Sequence, residues 1–156
     1  MKRSVLFTLI PIIVLLALTV YSLTEEQWTA GPVFPEITKP YDPERAEQNG
    51  DVVLAIDRKA NLEKWEHFLE SLKIKRVDAI RITQYTVEGD PVFSELFYNG
   101  KSIHFTYDDS LDGFGEHLIR TRSICKAIGT VKLENGNGMH ILEGCNNGIG
   151  RYFAFP

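Results

Sequence analysis

Between Val77 and Asp108 the chain alternates with period two, and two strong turn signals interrupt it. In "VDAIRITQYTVEG", Ile80 and Ile82 fall on one face of an extended chain, and Ala79, Tyr85 and Val87 fall on the other. Successive side chains of a strand point to opposite sides in this way. Asp90-Pro91 turns the chain, "VFSELFY" follows, and Asn99-Gly100 turns it again. Asn-Gly between apolar runs is a strong short hairpin signal, because both positions of the tightest such turn need positive φ. "SIHFTYD" then sets Ile103, Phe105 and Tyr107 against His104, Thr106 and Asp108. Three strands joined by tight turns form an antiparallel meander, so a sheet must lie at the centre of the fold.

The other elements follow from the same reasoning. Asp42-Pro43-Glu44 is a helix start, and "PERAEQNG" gives one or two turns closed by Asn49-Gly50. "DVVLAID" is β-branched and short, as a strand is. Asn61 can cap the next element. Leu62, Trp65, Phe68, Leu69 and Leu72 recur at helical spacing, which predicts an amphipathic helix over Leu62–Lys73. After the glycine-bearing loop Asp109–His117, "LIRTRSICKAIGTVKL" reads as one long strand or two short ones broken near Gly129. "ENGNG" is a hairpin turn, and "MHILEGC" and "RYFAFP" complete the sheet. The expected fold class is α+β: a mostly antiparallel β-meander sheet of about six or seven strands packed against one main helix. Trp65, Phe68, Phe93, Phe97, Phe105 and Tyr107 are expected between helix and sheet. Tyr85, Tyr98, Tyr152 and Phe153 are expected on the opposite face, which presents an aromatic binding surface if nothing covers it.

Lys2 and Arg3 precede an uncharged run from Ser4 to Leu23. A basic start and an apolar stretch mark an export signal. The stretch is also about the ~20 residues that span a bilayer. Residues 1–23 are therefore either a signal cleaved after Ser22 or an anchor with its basic side in the cytoplasm. Residues 24–43, with prolines at 32, 35, 40 and 43, read as a linker, in which Trp28, Phe34 and Tyr41 pack on the domain edge or stay exposed. Residues 44–156 form one domain.

The formal net charge is −4 and no basic run stands out, which argues against nucleic acid as a partner. Membrane contact is expected only through residues 4–23, if they are retained. Cys125 and Cys145 both lie in the exported part. An oxidising compartment favours a bridge between them; the alternative is two buried free thiols. Two cysteines are too few for structural zinc.

Among chemical constellations, Asp108, Ser110, Asp112 and Gly113 match the first alternate positions of a calcium loop. Ile119 stands where the closing bidentate carboxylate belongs, with Glu116 as a weak substitute. His104, His117 and His140 are spread too far in sequence to form a recognised metal motif with Asp108. Glu88 and Asp90 flank a turn and have the residue types, without the context, of a carboxylate pair for sugar chemistry. There is no G-x-S-x-G, H-E-x-x-H or phosphate loop, and no cofactor is called for.

The runs "AEQNGDVV", "RITQYTVEGDP", "YNGK", "TYDDSLDGFG", "ICKAI" and "LEGC" resemble the domain of unknown function 4362 family over about Ala46–Phe155. The resemblance implies small exported proteins, many of them lipoproteins, of Bacillus-like Gram-positive bacteria. It brings no activity with it. The lipidated cysteine of the lipoprotein members is absent here. The expectation is an exported cell-envelope domain, non-enzymatic, that binds a protein, a wall polymer or a small ligand through a sheet face. The alternative is a metal-dependent hydrolase or binding protein that uses the Asp108–His117 loop.

Overall fold

The structure, a computed structural model, describes residues 31–156. The apolar run Ser4–Leu23 and Trp28 lie outside the described residues, and the unit considered below is Phe34–Pro156.

Helix α1 (Pro43–Gln48) starts where the Asp42 carboxylate accepts the Arg45 N–H at 2.9 Å, with proline in the first turn as expected. Strand β1 (Val52–Leu54) follows, and β2 (Lys59–Ala60) folds back on it antiparallel. Helix α2 spans Leu62–Lys73, the residues the apolar spacing marks. Its first residue, Leu62, is left exposed, and Trp65 and Phe68 carry the burial. Asn61 does not cap this helix through its side chain. It sits in the left-handed region at φ 55°, and its amide donates instead to the carbonyls of Glu47 and Asp51, at 3.1 and 2.7 Å. The helix start is thereby tied to the α1–β1 turn.

Strands β3 (Asp78–Tyr85), β4 (Pro91–Tyr98) and β5 (Ile103–Asp108) form the expected meander, and β6 (Thr121–Cys125) extends it antiparallel. The sheet as a whole is not a pure meander. Its order is β2-β1-β3-β4-β5-β6, and β1 pairs with β3 in parallel. Parallel neighbours need a crossover, and α2 is the one that β1 and β3 share. A second, three-stranded sheet is made of β7 (Ala127–Lys132), β8 (Gly138–Glu143) and β9 (Ala154–Phe155), with a 3-10 turn at Gly148–Tyr152 between the last two. The long run after the loop breaks at Lys126, not near Gly129. There the Lys126 N–H turns to the Glu143 carbonyl at 2.9 Å, and the chain leaves the first sheet for the second.

Both faces of the large sheet are buried over β3 and β4. On the first face Ile80, Ile82, Leu96, Tyr98, Ile103 and Phe105 meet Trp65 and Phe68 of α2 and Leu142, Phe153 and Phe155 of the small sheet. On the second, Phe93 and Val53 meet Tyr41 and Ala46, with Ile37, Tyr85 and Leu111 packed against them. Phe34–Asp42, expected as linker, thus lies as a strap on the sheet. Phe93 and Phe97 share that second face, whereas Tyr98 and Phe153 belong to the first, opposite to expectation. The ladder fixes this: Ile80 faces Leu96 and Ile82 faces Ser94, which carries Tyr98 to the helix side with them.

Candidate functional site

Arg81 sits in the middle of β3 and is only 2% exposed. A buried cation needs its donors satisfied, and three of its nitrogens are. Nε donates to Asp51 Oδ1 at 2.7 Å, Nη1 to the Pro35 carbonyl at 2.7 Å and Nη2 to the Tyr41 hydroxyl at 2.8 Å. Tyr41 in turn donates to Asp51 Oδ2 at 2.7 Å, and Thr83 donates to the same oxygen at 2.7 Å. The guanidinium also lies 5.5 Å from the Phe34 ring centroid and 5.7 Å from that of Tyr41. Across the ladder stands Glu95, 3.9 Å from Arg81 and bound by Arg120 at 2.7 Å. This network fastens the strap to β1, β3 and β4.

Burial, opposed by the Asn49 hydrogen bond and helped by the Asp51 carboxylate, pushes the Tyr41 hydroxyl up from 10.0 to about 12. Burial likewise pushes Tyr107 up to about 12 and raises Tyr85. A raised folded value means that the fold holds the proton more tightly than the unfolded chain does. The stability this contributes is intact below pH 10, where unfolded tyrosine is neutral, and is lost as pH rises from there through the folded values. At about pH 11 these three phenols are expected to stay protonated in the folded protein, and to ionise in one step when it unfolds. Phenolate absorbance against pH, with and without urea, checks this.

Beside the network is a pocket of about 290 Å³ lined by Phe34, Asn49, Gly50, Asp51, Lys64, His67, Asp78, Ala79, Ile80 and Arg81. It opens where β1 stops pairing: β1 covers β3 only from Ile82 to Gln84, so Asp78–Arg81 lack a neighbour strand on that side. Lys64 reaches in from α2 and donates one proton to the Gly50 carbonyl at 2.7 Å. His67, also on α2, places Nε2 at 2.7 Å from Arg76 Nη2 and Nδ1 at 3.1 Å from Asp78 Oδ2. Arg76 can only donate, so His67 accepts at Nε2, and its proton in the neutral form belongs on Nδ1. Asp78 Oδ1 accepts the Ala79 N–H at 2.8 Å. Asp78 Oδ2 is buried and makes no well-aligned hydrogen bond, despite its nearness to His67.

The residues singled out from sequence are distributed differently. Asp108 Oδ1 accepts the Ser110 N–H at 3.0 Å, and Asp112 Oδ1 accepts the Phe114 N–H at 2.9 Å, both as local turns. Glu116 accepts the Tyr152 hydroxyl at 2.6 Å. The loop is organised by Asp109, a residue the calcium pattern skips. It is 2% exposed, and its carboxylate takes the N–H groups of Glu116 and Leu118. Among the described residues no group of three or more His, Cys, Asp and Glu is placed to hold a metal. His104 lies against Phe97 on the second sheet face, His140 against Trp65, and His117 in the loop. Asp90 of the Glu88–Asp90 turn accepts the Gly113 N–H at 3.0 Å.

Tyr85, Tyr98 and Tyr152 do not share a surface. Tyr85 donates to the Tyr41 carbonyl beneath the strap, Tyr98 is in the helix-side core, and Tyr152 stacks on Tyr107 at 4.8 Å. Cys125 and Cys145 are joined, with an S–S distance of 2.05 Å. The candidate-site residues missed from sequence are Arg81, Asp51, Lys64 and Asp78. Arg81 alone has a faint signal, a charge inside the β-favouring run "IRIT".

A family model described as a domain of unknown function (DUF4362) matches residues 49–138. The matched span is shorter than the stretch of quoted resemblance and ends at the start of β8. No curated protein and no solved structure matches the chain.

Proposed function

This chain belongs to the DUF4362 family, and we propose that it is an exported envelope domain that binds a small zwitterion, such as a free amino acid or a peptide terminus, in the pocket between the strap and α2. The observation that carries this reading is Asp78 Oδ2, a buried carboxylate oxygen in the pocket wall without an aligned donor. Arg81 and Asp51 satisfy each other, Lys64 keeps two protons free of the Gly50 carbonyl, and Asp78 opens to a guest when the exposed His67 side chain beside its Oδ2 turns aside. An ammonium group supplies the aligned donor that His67, at 3.1 Å, does not give Asp78. A carboxylate takes the two protons that Lys64 does not give to Gly50. A volume of about 290 Å³ suits a molecule of that size. The lining includes the His67–Asp78 pair but no serine, threonine or cysteine, so binding fits better than nucleophilic turnover. Export is supported by the apolar run after Lys2-Arg3 and by the cysteine bridge. Among the described residues no helix is long and apolar enough to cross a membrane.

Titration calorimetry of the full chain with a panel of free amino acids and dipeptides tests this. At least one panel member is expected to bind, and Asp78→Asn and Lys64→Met each to weaken it about tenfold or more, with little change in melting temperature. Silence across the whole panel would sink the reading, as would binding that both variants leave untouched.

A further inference from the structure

An asparagine followed by glycine can be attacked by its own backbone, because the glycine nitrogen has no side chain to shield it. The chain holds five such pairs, beginning at Asn49, Asn99, Asn135, Asn137 and Asn147. The dipeptide is the same in all five, but the fold treats them differently. Asn49 donates to the Tyr41 hydroxyl at 3.1 Å, and the Gly50 N–H is given to the Glu47 carbonyl at 3.0 Å. Asn99 Oδ1 accepts the N–H groups of Lys101 and Ser102 at 3.0 and 2.9 Å, and its amide nitrogen lies 3.0 Å from His104 Nε2. Asn147 accepts the Ile149 N–H at 3.0 Å and donates to the Arg122 carbonyl at 2.9 Å. Asn135 accepts the Asn137 N–H at 3.0 Å, and the Gly136 N–H is given to the Leu133 carbonyl at 2.9 Å. Asn137 has neither tie. Its side chain is exposed and has no hydrogen-bond partner among the described residues. Its carbonyl accepts the Leu133 N–H at 2.8 Å, so Leu133 and Asn137 form a hydrogen-bonded pair, and the next pair, Lys132 and Gly138, is of the other kind. The Gly138 N–H therefore turns away from β7. On that side β9 meets β8 only at His140 and Ile141, so this nitrogen has no strand partner among the described residues.

We propose that Asn137-Gly138 is the site at which the folded chain modifies itself by deamidation. The Gly138 nitrogen forms a bond to Asn137 Cγ, and the bond from Cγ to Nδ2 breaks. Nδ2 leaves as ammonia with the proton that Gly138 gives up, and a five-membered succinimide remains. Water then opens the ring. Cleavage between Cγ and the Gly138 nitrogen gives aspartate, and cleavage between the backbone carbonyl carbon and that nitrogen gives isoaspartate. Either product adds a negative charge to the exposed end of the β7–β8 hairpin. Isoaspartate also adds one carbon to the backbone ahead of Gly138, which puts Lys132 and Leu133 out of step with β8. At the other four pairs a hydrogen-bonded side chain or glycine N–H has to be released before the ring can close.

Incubation of the full chain in mildly alkaline buffer, with peptide fragments weighed at intervals, tests this. Asn137 is expected to deamidate about tenfold or more faster than Asn49, Asn99, Asn135 or Asn147, since two modest hydrogen bonds are enough for such a factor. The same incubation in urea removes the ties, and the lead of Asn137 is expected to disappear, because all five asparagines precede glycine. Asn137→Ser is expected to abolish the fast phase in the folded protein and leave the slow sites unchanged. A different asparagine leading in the folded chain overturns the proposal. So do five equal rates in the folded chain, or a lead of Asn137 that persists undiminished in urea, which would make it a property of the dipeptide's neighbours and not of the fold.

Discussion

Replacing Arg81 with methionine is expected to lower the stability of the domain by about 3–5 kcal/mol, the cost of leaving one member of a buried ion pair alone. Asp51 is 1% exposed and keeps only the Thr83 and Tyr41 hydroxyls once the cation is gone. Two neutral donors do not offset the charge that the guanidinium balances. The same change releases the Pro35 carbonyl and the Tyr41 hydroxyl, so the strap loses two of its ties to β3. Urea unfolding followed by tryptophan fluorescence measures the effect, and the midpoint is expected to fall by roughly 2 M. Asp51→Asn with Arg81→Met removes both charges, and the double variant is expected to lose less than the sum of the singles. The exposed Arg58–Glu47 pair, with both side chains 44% exposed, is the internal comparison. Breaking it should cost less than about 1 kcal/mol. A loss that small at Arg81 would mean that the strap is held by apolar contact alone. The pocket would then lack a rigid wall, because Phe34 stands in it only while the strap is down.

Helix α2 and the meander are legible in the sequence because their signals are local. The apolar spacing from Leu62 to Leu72 and the Asn99-Gly100 turn each act within a few residues. The parallel β1–β3 pair is present in the text as strand, helix, strand, a pattern that argues for a crossover; three residues of β1 are too short to carry it against the meander that follows. Periodicity gives strand β4 its faces the wrong way round. "VFSELFY" has apolar residues at both parities because the helix covers one face and the strap the other, and alternation carries no information about a strand buried on both sides. Only the pairing of Ile80 with Leu96 decides, and that is a long-range fact. Arg81 is hidden for the same reason. A lone arginine between two isoleucines reads as a solvent-facing position, and its partners Asp51 and Tyr41 are 30 and 40 residues away. The pocket inherits this obscurity, since Lys64 and His67 on a helix flank look like ordinary surface charges until β3 is placed beneath them. The acidic loop misleads in the other direction. Its pattern of Asp, Ser and Gly is what a self-bonded turn also needs, and Asp109, between the apparent ligands, is the carboxylate that folds it.

Gly150→Ala is expected to be among the most damaging single substitutions in the domain, and its damage should depend on the cysteine bridge. A Cβ at this position would stand 2.3 Å from Cys145 Sγ, 3.0 Å from Cys145 Cβ and 3.4 Å from Cys125 Sγ. A bridged sulfur cannot swing away as the end of a free side chain can, so the 3-10 turn Gly148–Tyr152 must lift instead. Overpacking of this kind costs about 1–3 kcal/mol or more. Removing the bridge with Cys125→Ala and Cys145→Ala costs about 3 kcal/mol for a 20-residue separation in the chain-entropy account. The bridge and the turn are two parts of one junction: β6 holds Cys125, the segment after β8 holds Cys145, and the turn seated on them delivers Phe153 and Phe155 to the ring of Trp65. In the triple variant the sulfur that the added methyl group would strike is gone. Its loss should therefore fall short of the sum of the two separate losses by about 1 kcal/mol or more, read by urea unfolding with Trp65 as a probe. Additivity within about 0.5 kcal/mol would show that the turn does not rest on the bridge. Free thiols in the native protein would remove the bridge from the account altogether. The coupled result instead makes the bridge a clamp between the two sheets, which keeps the small sheet on the core while its β7 edge faces outward.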